Sequence, residues 1–191
     1  MNNSPTIDIS VALPAYNEEF NIVRVLDDVV KDLNAIGRSW EVIVVDNCSS
    51  DHTAERVLEY IKREPRVQLI CAAMGWEGRL VKMSITADGV STSEPAHREL
   101  WARDGGYYGE MFAPVVTWAD IHNQFGSFDF VNIDAEGISA ELFFRLMETE
   151  ARPHCICVEH DGRTTEILAR QPNWYNCVYA NGTNLVLVRK G

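Results

Sequence analysis

The sequence predicts an α/β fold built on a mostly parallel sheet of about seven strands, closed at its C-terminal end by an antiparallel hairpin. Three observations carry that prediction. The first 70 residues alternate short β-rich runs with helix-period segments, in the order strand, helix, strand, helix, strand, which is the pattern of parallel pairing through right-handed crossovers. Two further apolar runs, at 128–133 and 155–158, flank another helix-period segment. Finally, Asn181-Gly182 separates two β-rich runs, a strong local hairpin signal because a type I′ turn requires positive φ at both central residues.

Residues 7–13 form a short β-rich run stopped by Pro14. Ile22, Leu26, Val29, Leu33 and Ile36 then recur at helical spacing, and Gly37 supplies the C-terminal stop. Residues 41–45 are a continuous strand ending in Asp46, and Ser49, Ser50 or Asp51 offers an N-cap for a helix through about Lys62. A third strand covers 67–72. Leu80, Val81, Met83 and Ile85 suggest an edge strand over 79–86, and 88–109 reads as a long loop or lid. A short strand at 114–117 leads into a helix over 118–125. The 128–133 strand ends in Asp134-Ala135-Glu136-Gly137, and the next helix runs to about Glu150 with Leu142, Phe143 and Leu146 on one face. Strand 155–158 ends in Glu159-His160-Asp161, and 176–180 with 183–188 form the hairpin. The result is a Rossmann-like three-layer sandwich, read as one domain over 1–191.

Composition narrows the function classes. In 191 residues, 46% hydrophobic and 24% charged, there is room for one sizeable core and not for two ordinary catalytic domains. Twenty-eight acidic against seventeen basic side chains leave −11, a field that repels nucleic-acid backbones and anionic lipid. Cys48, Cys71, Cys155, Cys157 and Cys177 show no zinc spacing and read as buried structural thiols of a reducing compartment. With no signal peptide and no apolar run of about 18 residues, the expectation is a cytoplasmic protein without a membrane span.

In open parallel sheets, ligands bind outside the carboxyl ends of the strands. Four loops qualify: Pro14-Ala15-Tyr16-Asn17-Glu18-Glu19, Asp46-Asn47-Cys48, Asp134-Ala135-Glu136-Gly137 and Glu159-His160-Asp161, all carrying carboxylates. Asp46 can accept both hydroxyls of a ribose or the imide hydrogen of a uracil, or can simply hold its own turn. Asp134 and Glu136 either share a hard cation or cap the following helix. His160, between two acids, suits a general base, or else a structural hydrogen-bonding role. Trp101, Tyr107, Tyr108 and Phe112 either close over a substrate or pack their own loop.

Residues 7–70 resemble the opening of a family 2 glycosyltransferase of GT-A fold. The resemblance rests on Ile9-Ser10-Val11-Ala12-Leu13-Pro14-Ala15-Tyr16-Asn17-Glu18-Glu19 with Asn21-Ile22, and on residues 41–53, Glu-Val-Ile-Val-Val-Asp-Asn-Cys-Ser-Ser-Asp-His-Thr. It implies that Pro14, Tyr16, Glu18 and Asp46 contact the uridine of a sugar nucleotide, held with Mg²⁺ or Mn²⁺. The Asp-x-Asp that the family places after its third strand has no counterpart there.

From about residue 66 to 190 the chain resembles an FkbM-type methyltransferase dependent on S-adenosylmethionine. The similar stretches are 67–73, 89–92, 114–117, Phe128-Asp129-Phe130-Val131-Asn132-Ile133-Asp134-Ala135-Glu136-Gly137, Ile156-Cys157-Val158-Glu159-His160-Asp161 and the 179–188 hairpin. This resemblance implies a reaction site lined by Asp134, Glu136, Glu159 and His160. Pro14, Ala15, Tyr16, Asn17 and Glu18 would then stand at the cofactor in place of a glycine-rich loop, with Asp46 and Asn47 at its ribose. The leading expectation is a methyltransferase acting on a sugar, glycan or small hydroxylated metabolite. The alternatives are a family 2 glycosyltransferase-like, sugar-nucleotide-binding protein and an inactive or chimeric α/β domain whose halves meet near residue 66.

Overall fold

The computed structural model describes residues 7–47, 49–86, 93, 95, 98–99, 107–135, 137–171 and 173–191. Cys48, Trp101 and Glu136, together with 88–92, lie outside that set, and the side chains of Tyr107 and Tyr108 are not described. The chain divides into two compact units, Met1–Ala72 and Ala73–Gly191.

In the first unit, β1 (Ile9–Ala15), α1 (Ile22–Ile36), β2 (Trp40–Asp46), α2 (Thr53–Ile61) and β3 (Val67–Ile70) follow one another, and the strands pair in parallel in the order β1-β2-β3. β1 runs through Pro14 to Ala15, beyond the stop expected at the proline. A proline in this position is tolerated because β1 has a neighbour on only one side in its sheet, so its missing N–H removes no ladder bond there. α1 ends as its sequence requires, with Gly37 at φ 71. The N-cap of α2 is His52, without a side-chain capping bond, and not Ser49, Ser50 or Asp51. Both helices bury the same sheet face: Ile22, Leu26, Leu33, Val57 and Tyr60 pack with Ala15, Trp40, Val42, Val44 and Val67. Two crossovers of the same hand, moving in one direction across the sheet, must put their helices on one side.

The second unit holds two sheets. β4 (Ala73–Met74), β5 (Leu80–Thr86) and β6 (Tyr107–Val116) form one, in the order β4-β6-β5, with β5 and β6 antiparallel. α3 (Trp118–Phe125), β7 (Phe130–Ile133), α4 (Ser139–Glu148), β8 (Cys155–Glu159), α5 (Thr164–Arg170), β9 (Tyr175–Ala180) and β10 (Asn184–Arg189) follow. Their four strands run β7-β8-β10-β9, parallel between β7 and β8 and antiparallel through β10. One face is buried: Val131, Ile133, Ile156, Val158, Leu185 and Leu187 alternate inward against Leu142, Phe143, Leu146 and Ile167. Trp118 of α3 anchors there too, donating its indole N–H to the Leu142 carbonyl at 2.8 Å.

These facts correct several expectations. The described strands number ten in three sheets, not about seven in one mostly parallel sheet. In each unit the described helices pack on one face of the main sheet, and the α/β character with a parallel sheet and antiparallel strands is as expected. The strand expected at 114–117 is the end of the ten-residue β6, whose partner is the alternating run 80–86. Alternation marks a strand with one wet face, and it holds equally for a strand paired antiparallel. The hairpin forms, but not on a type I′ turn, since neither Asn181 nor Gly182 has positive φ. Instead the Asn181 side-chain carbonyl accepts from the amides of Thr183 at 2.8 Å and Asn184 at 2.6 Å, an Asx turn that does the same work. α5 had no expectation attached to it. Among the described residues no cysteine is buried: Cys71 and Cys177 are exposed, and Cys155 and Cys157 are half-buried, none of them in a disulfide.

Candidate functional site

The register of β1 on β2 pairs Ala15 with Asp46, so the loops that leave these strands start side by side at the carboxyl edge. The Asn47 amide extends the pairing by donating to the Ala15 carbonyl at 2.8 Å. Asn17 turns the first loop at φ 53, a left-handed conformation that asparagine adopts more readily than most residues. That turn aims its amide at the Ser49 hydroxyl, 2.9 Å away, and its side-chain carbonyl at the Ser50 amide, 2.8 Å away.

Further along, the loops exchange carboxylates. The Glu18 amide donates to the Thr53 hydroxyl at 2.7 Å, and the Glu19 amide to Asp51 at 3.1 Å. In return Glu19 accepts from the His52 amide at 3.0 Å and lies 2.9 Å from its Nδ1. Asp51 also accepts from the Thr53 amide at 2.9 Å and from its hydroxyl. Backbone amides at a helix start are thereby satisfied from a neighbouring loop, which joins the two loops rigidly.

This exchange depends on ionised carboxylates. Burial pushes the Asp51 carboxyl up, but the Thr53 hydroxyl and amide and the Glu19 amide outweigh it and leave it below its ordinary 3.8. The His52 amide, and then its ring, hold Glu19 below 4.5. A carboxylate depressed in the folded state adds stability above its unfolded value and loses it as pH falls through the folded one. Asp51→Asn is therefore expected to lower the urea midpoint at pH 7, and its gap to the wild type should close as pH drops below about 3.8. A gap that stays constant from pH 7 to pH 3 would show that the charge of Asp51 contributes nothing.

Asp46 sits under this brace and is 3% exposed. Its Oδ1 accepts the Ser49 hydroxyl at 2.5 Å. Its Oδ2 accepts the Ser49 amide at 3.2 Å and the Cys71 thiol at 3.8 Å. The Ser49 hydroxyl accepts from Asn17 while donating to Asp46, so its proton direction is defined. The structure thus brings together Ala15, Asn17, Glu18, Asp46 and Asn47. Ser49, Asp51, Thr53 and Cys71 are the partners that sequence reasoning missed or read only as caps and thiols. The one local signal for them is the run of short hydroxyl and carboxylate side chains from Ser49 to Thr53.

In the second unit, His160, Glu159 and the neighbouring Asp161 contact groups of the surrounding loops. His160 is 9% exposed; its Nδ1 accepts from the Gly162 amide at 3.0 Å, and Nε2 faces the Asn181 carbonyl at 3.4 Å. A ring that accepts at Nδ1 carries its proton on Nε2, so backbone groups face both nitrogens. Ser139 accepts from the Ala135 amide at 2.8 Å and donates to Glu159 at 3.3 Å. Asp161 accepts from the Ala140 amide at 2.9 Å, near the start of α4. Asp134 is exposed, and beside it burial first, then Cys155 and Asp134 itself, push the Cys157 thiol up. Phe112 lies 65% exposed on β6.

Among the described residues, no group of three or more His, Cys, Asp or Glu side chains could hold a metal ion, and none of their helices is long and apolar enough to cross a membrane. The pairing of Asp134 with Glu136 around a cation falls partly outside them.

Two braced loops thus leave the carboxyl ends of adjacent parallel strands around a buried aspartate. Residues 10–77 match the sequence model of glycosyl transferase family 2. The chain is 39% identical over 71 residues to a dolichyl-phosphate beta-glucosyltransferase of Dictyostelium discoideum, covering 34% of this chain and 22% of that protein. It is 38% identical over 52 residues to an undecaprenyl-phosphate 4-deoxy-4-formamido-L-arabinose transferase of Pectobacterium carotovorum, covering 27% of this chain and 16% of the relative. The chain thus spans about a fifth of the length of the relatives it matches. The glycosyltransferase resemblance of the N-terminal segment is upheld, whereas the matches lend the methyltransferase resemblance and its S-adenosylmethionine no support.

Proposed function

We propose that the first unit is a nucleotide-sugar donor module of glycosyltransferase type, taking a uridine diphosphate sugar at the carboxyl ends of β1 and β2. The observation that carries this reading is the state of Asp46. A carboxylate has about four acceptor positions, and three donors already occupy Asp46. Among the described residues, that leaves one position on Oδ1. A uracil imide brings one donor, whereas a ribose brings two hydroxyls, so the occupancy favours the base over the sugar.

The brace supplies the second half of the argument. Pre-ordered loops do not need to be fixed when ligand arrives, which lowers the entropic cost of binding. Tyr16 and Glu18, in the same loop, are the residues this reading assigns to the nucleoside next. For the whole protein, the two relatives' names point to a polyprenyl phosphate as the acceptor.

Calorimetric titration of the full chain tests the donor assignment. Saturable binding of UDP, absent in Asp46→Ala, is the expected result. Binding of S-adenosylhomocysteine with no response to UDP would replace this reading by the methyltransferase one. Silence from both ligands in a folded protein would leave an inactive domain.

A further inference from the structure

We infer that Cys71 determines which nucleobase Asp46 accepts; the inference rests on the donor reading above. The Cys71 thiol lies just beyond the end of β3 and reaches Oδ2 of Asp46, 25 residues away in sequence, at 3.8 Å. The Ser49 amide takes the other position on that oxygen. Among the described residues, the thiol therefore completes Oδ2, and the position left open lies on Oδ1 beside the Ser49 hydroxyl.

Base edges differ in the donors they present. Uracil offers one, its imide N3–H, flanked by two carbonyl acceptors. Guanine offers two in parallel, N1–H and an N2 amino hydrogen, which suit a carboxylate with one open position on each oxygen. With Oδ2 filled, the guanine amino group would face an acceptor that is already taken, and a buried donor left unpaired costs affinity. The imide of uracil needs Oδ1 alone. Of the donors on Asp46, the Ser49 amide cannot be removed by substitution, and the Ser49 hydroxyl occupies the oxygen that stays open in any case. Cys71 is thus the side chain that separates the two bases, and as an exposed residue it can be changed without emptying a core position.

The test is a titration of the full chain and its variants with UDP and with GDP. The wild type is expected to bind UDP at least about tenfold more tightly than GDP. In Cys71→Ala that ratio should narrow about fivefold, mainly because GDP binds better, which is the scale of one modest hydrogen bond. Cys71→Ser should restore the preference, since a hydroxyl can donate from the same place. An unchanged ratio in Cys71→Ala, or a wild type that binds both nucleotides equally, overturns the inference and leaves the donor site standing. A wild type that binds neither overturns the donor reading and the inference with it, so the two failures are distinguishable before any variant is made.

Discussion

Trp40→Ala is expected to cost about 3–5 kcal/mol of stability, the range for deleting a large buried aromatic side chain. Trp40 opens β2 at 2% exposure, and its ring is held from three directions. The core side chains of α1 and α2 pack around it, and its indole N–H donates to Asn34 at 3.2 Å. The Arg66 guanidinium lies 3.6 Å from the ring centroid and is itself clamped by Glu64 at 2.8 and 2.7 Å. An alanine would leave a cavity, strand the Asn34 carbonyl and release Arg66 together. Against a total of about 5–15 kcal/mol this is a large share, so UDP binding should fall with folding. Urea unfolding checks it, with Trp40→Phe as the milder control that keeps most of the packing. A loss below about 1 kcal/mol would mean the site collapses around the smaller side chain.

Phe143→Ala should have a similar effect, about 3–5 kcal/mol, on the second unit. Phe143 is fully buried on α4, with its ring centroid 6.0 Å from that of Phe144 in an edge-on arrangement. It belongs to the cluster that joins α4 and α5 to the inward residues of β7, β8 and β10. Phe144 is in turn covered by the guanidinium groups of Arg163 at 4.7 Å and Arg170 at 4.9 Å. Losing one ring therefore loosens its neighbour and the arginines over it. Phe143→Leu should cost much less, since most of the volume remains. Equal costs for leucine and alanine would mean that the aromatic edge, and not the filled volume, holds α4 in place.

Legibility differed between the two units for a physical reason. The apolar period of Ile22 to Ile36, the glycine after it and the continuous run into Asp46 are local signals, and each produced the element it announced. The four-stranded sheet of the second unit was also partly visible, because Val131, Ile133, Ile156 and Val158 sit in short, unmistakable apolar runs. The pairing of β5 with β6 was not visible. Leu80 to Thr86 reads the same whether its neighbour is parallel or antiparallel, and its partner begins more than 20 residues later.

His160 and Asp46 show the same divide at the level of single side chains. Both were strand-end residues with two open readings. One faces the Gly162 amide and the Asn181 carbonyl with its two ring nitrogens. Among the described residues, the other accepts three donors, two from Ser49 and one from Cys71. Periodicity, caps and turn residues act over a few neighbouring positions, so residue order alone determined the βαβαβ start, the carboxyl-edge placement of the acidic loops and the terminal hairpin. Only the tertiary structure decided how the strands divide into three sheets and which donors reach each carboxylate. Those depend on register and on partners such as Cys71 for Asp46, and on Asp51 for Glu19, brought together across 25 and 32 positions. No local pattern encodes contacts at that range.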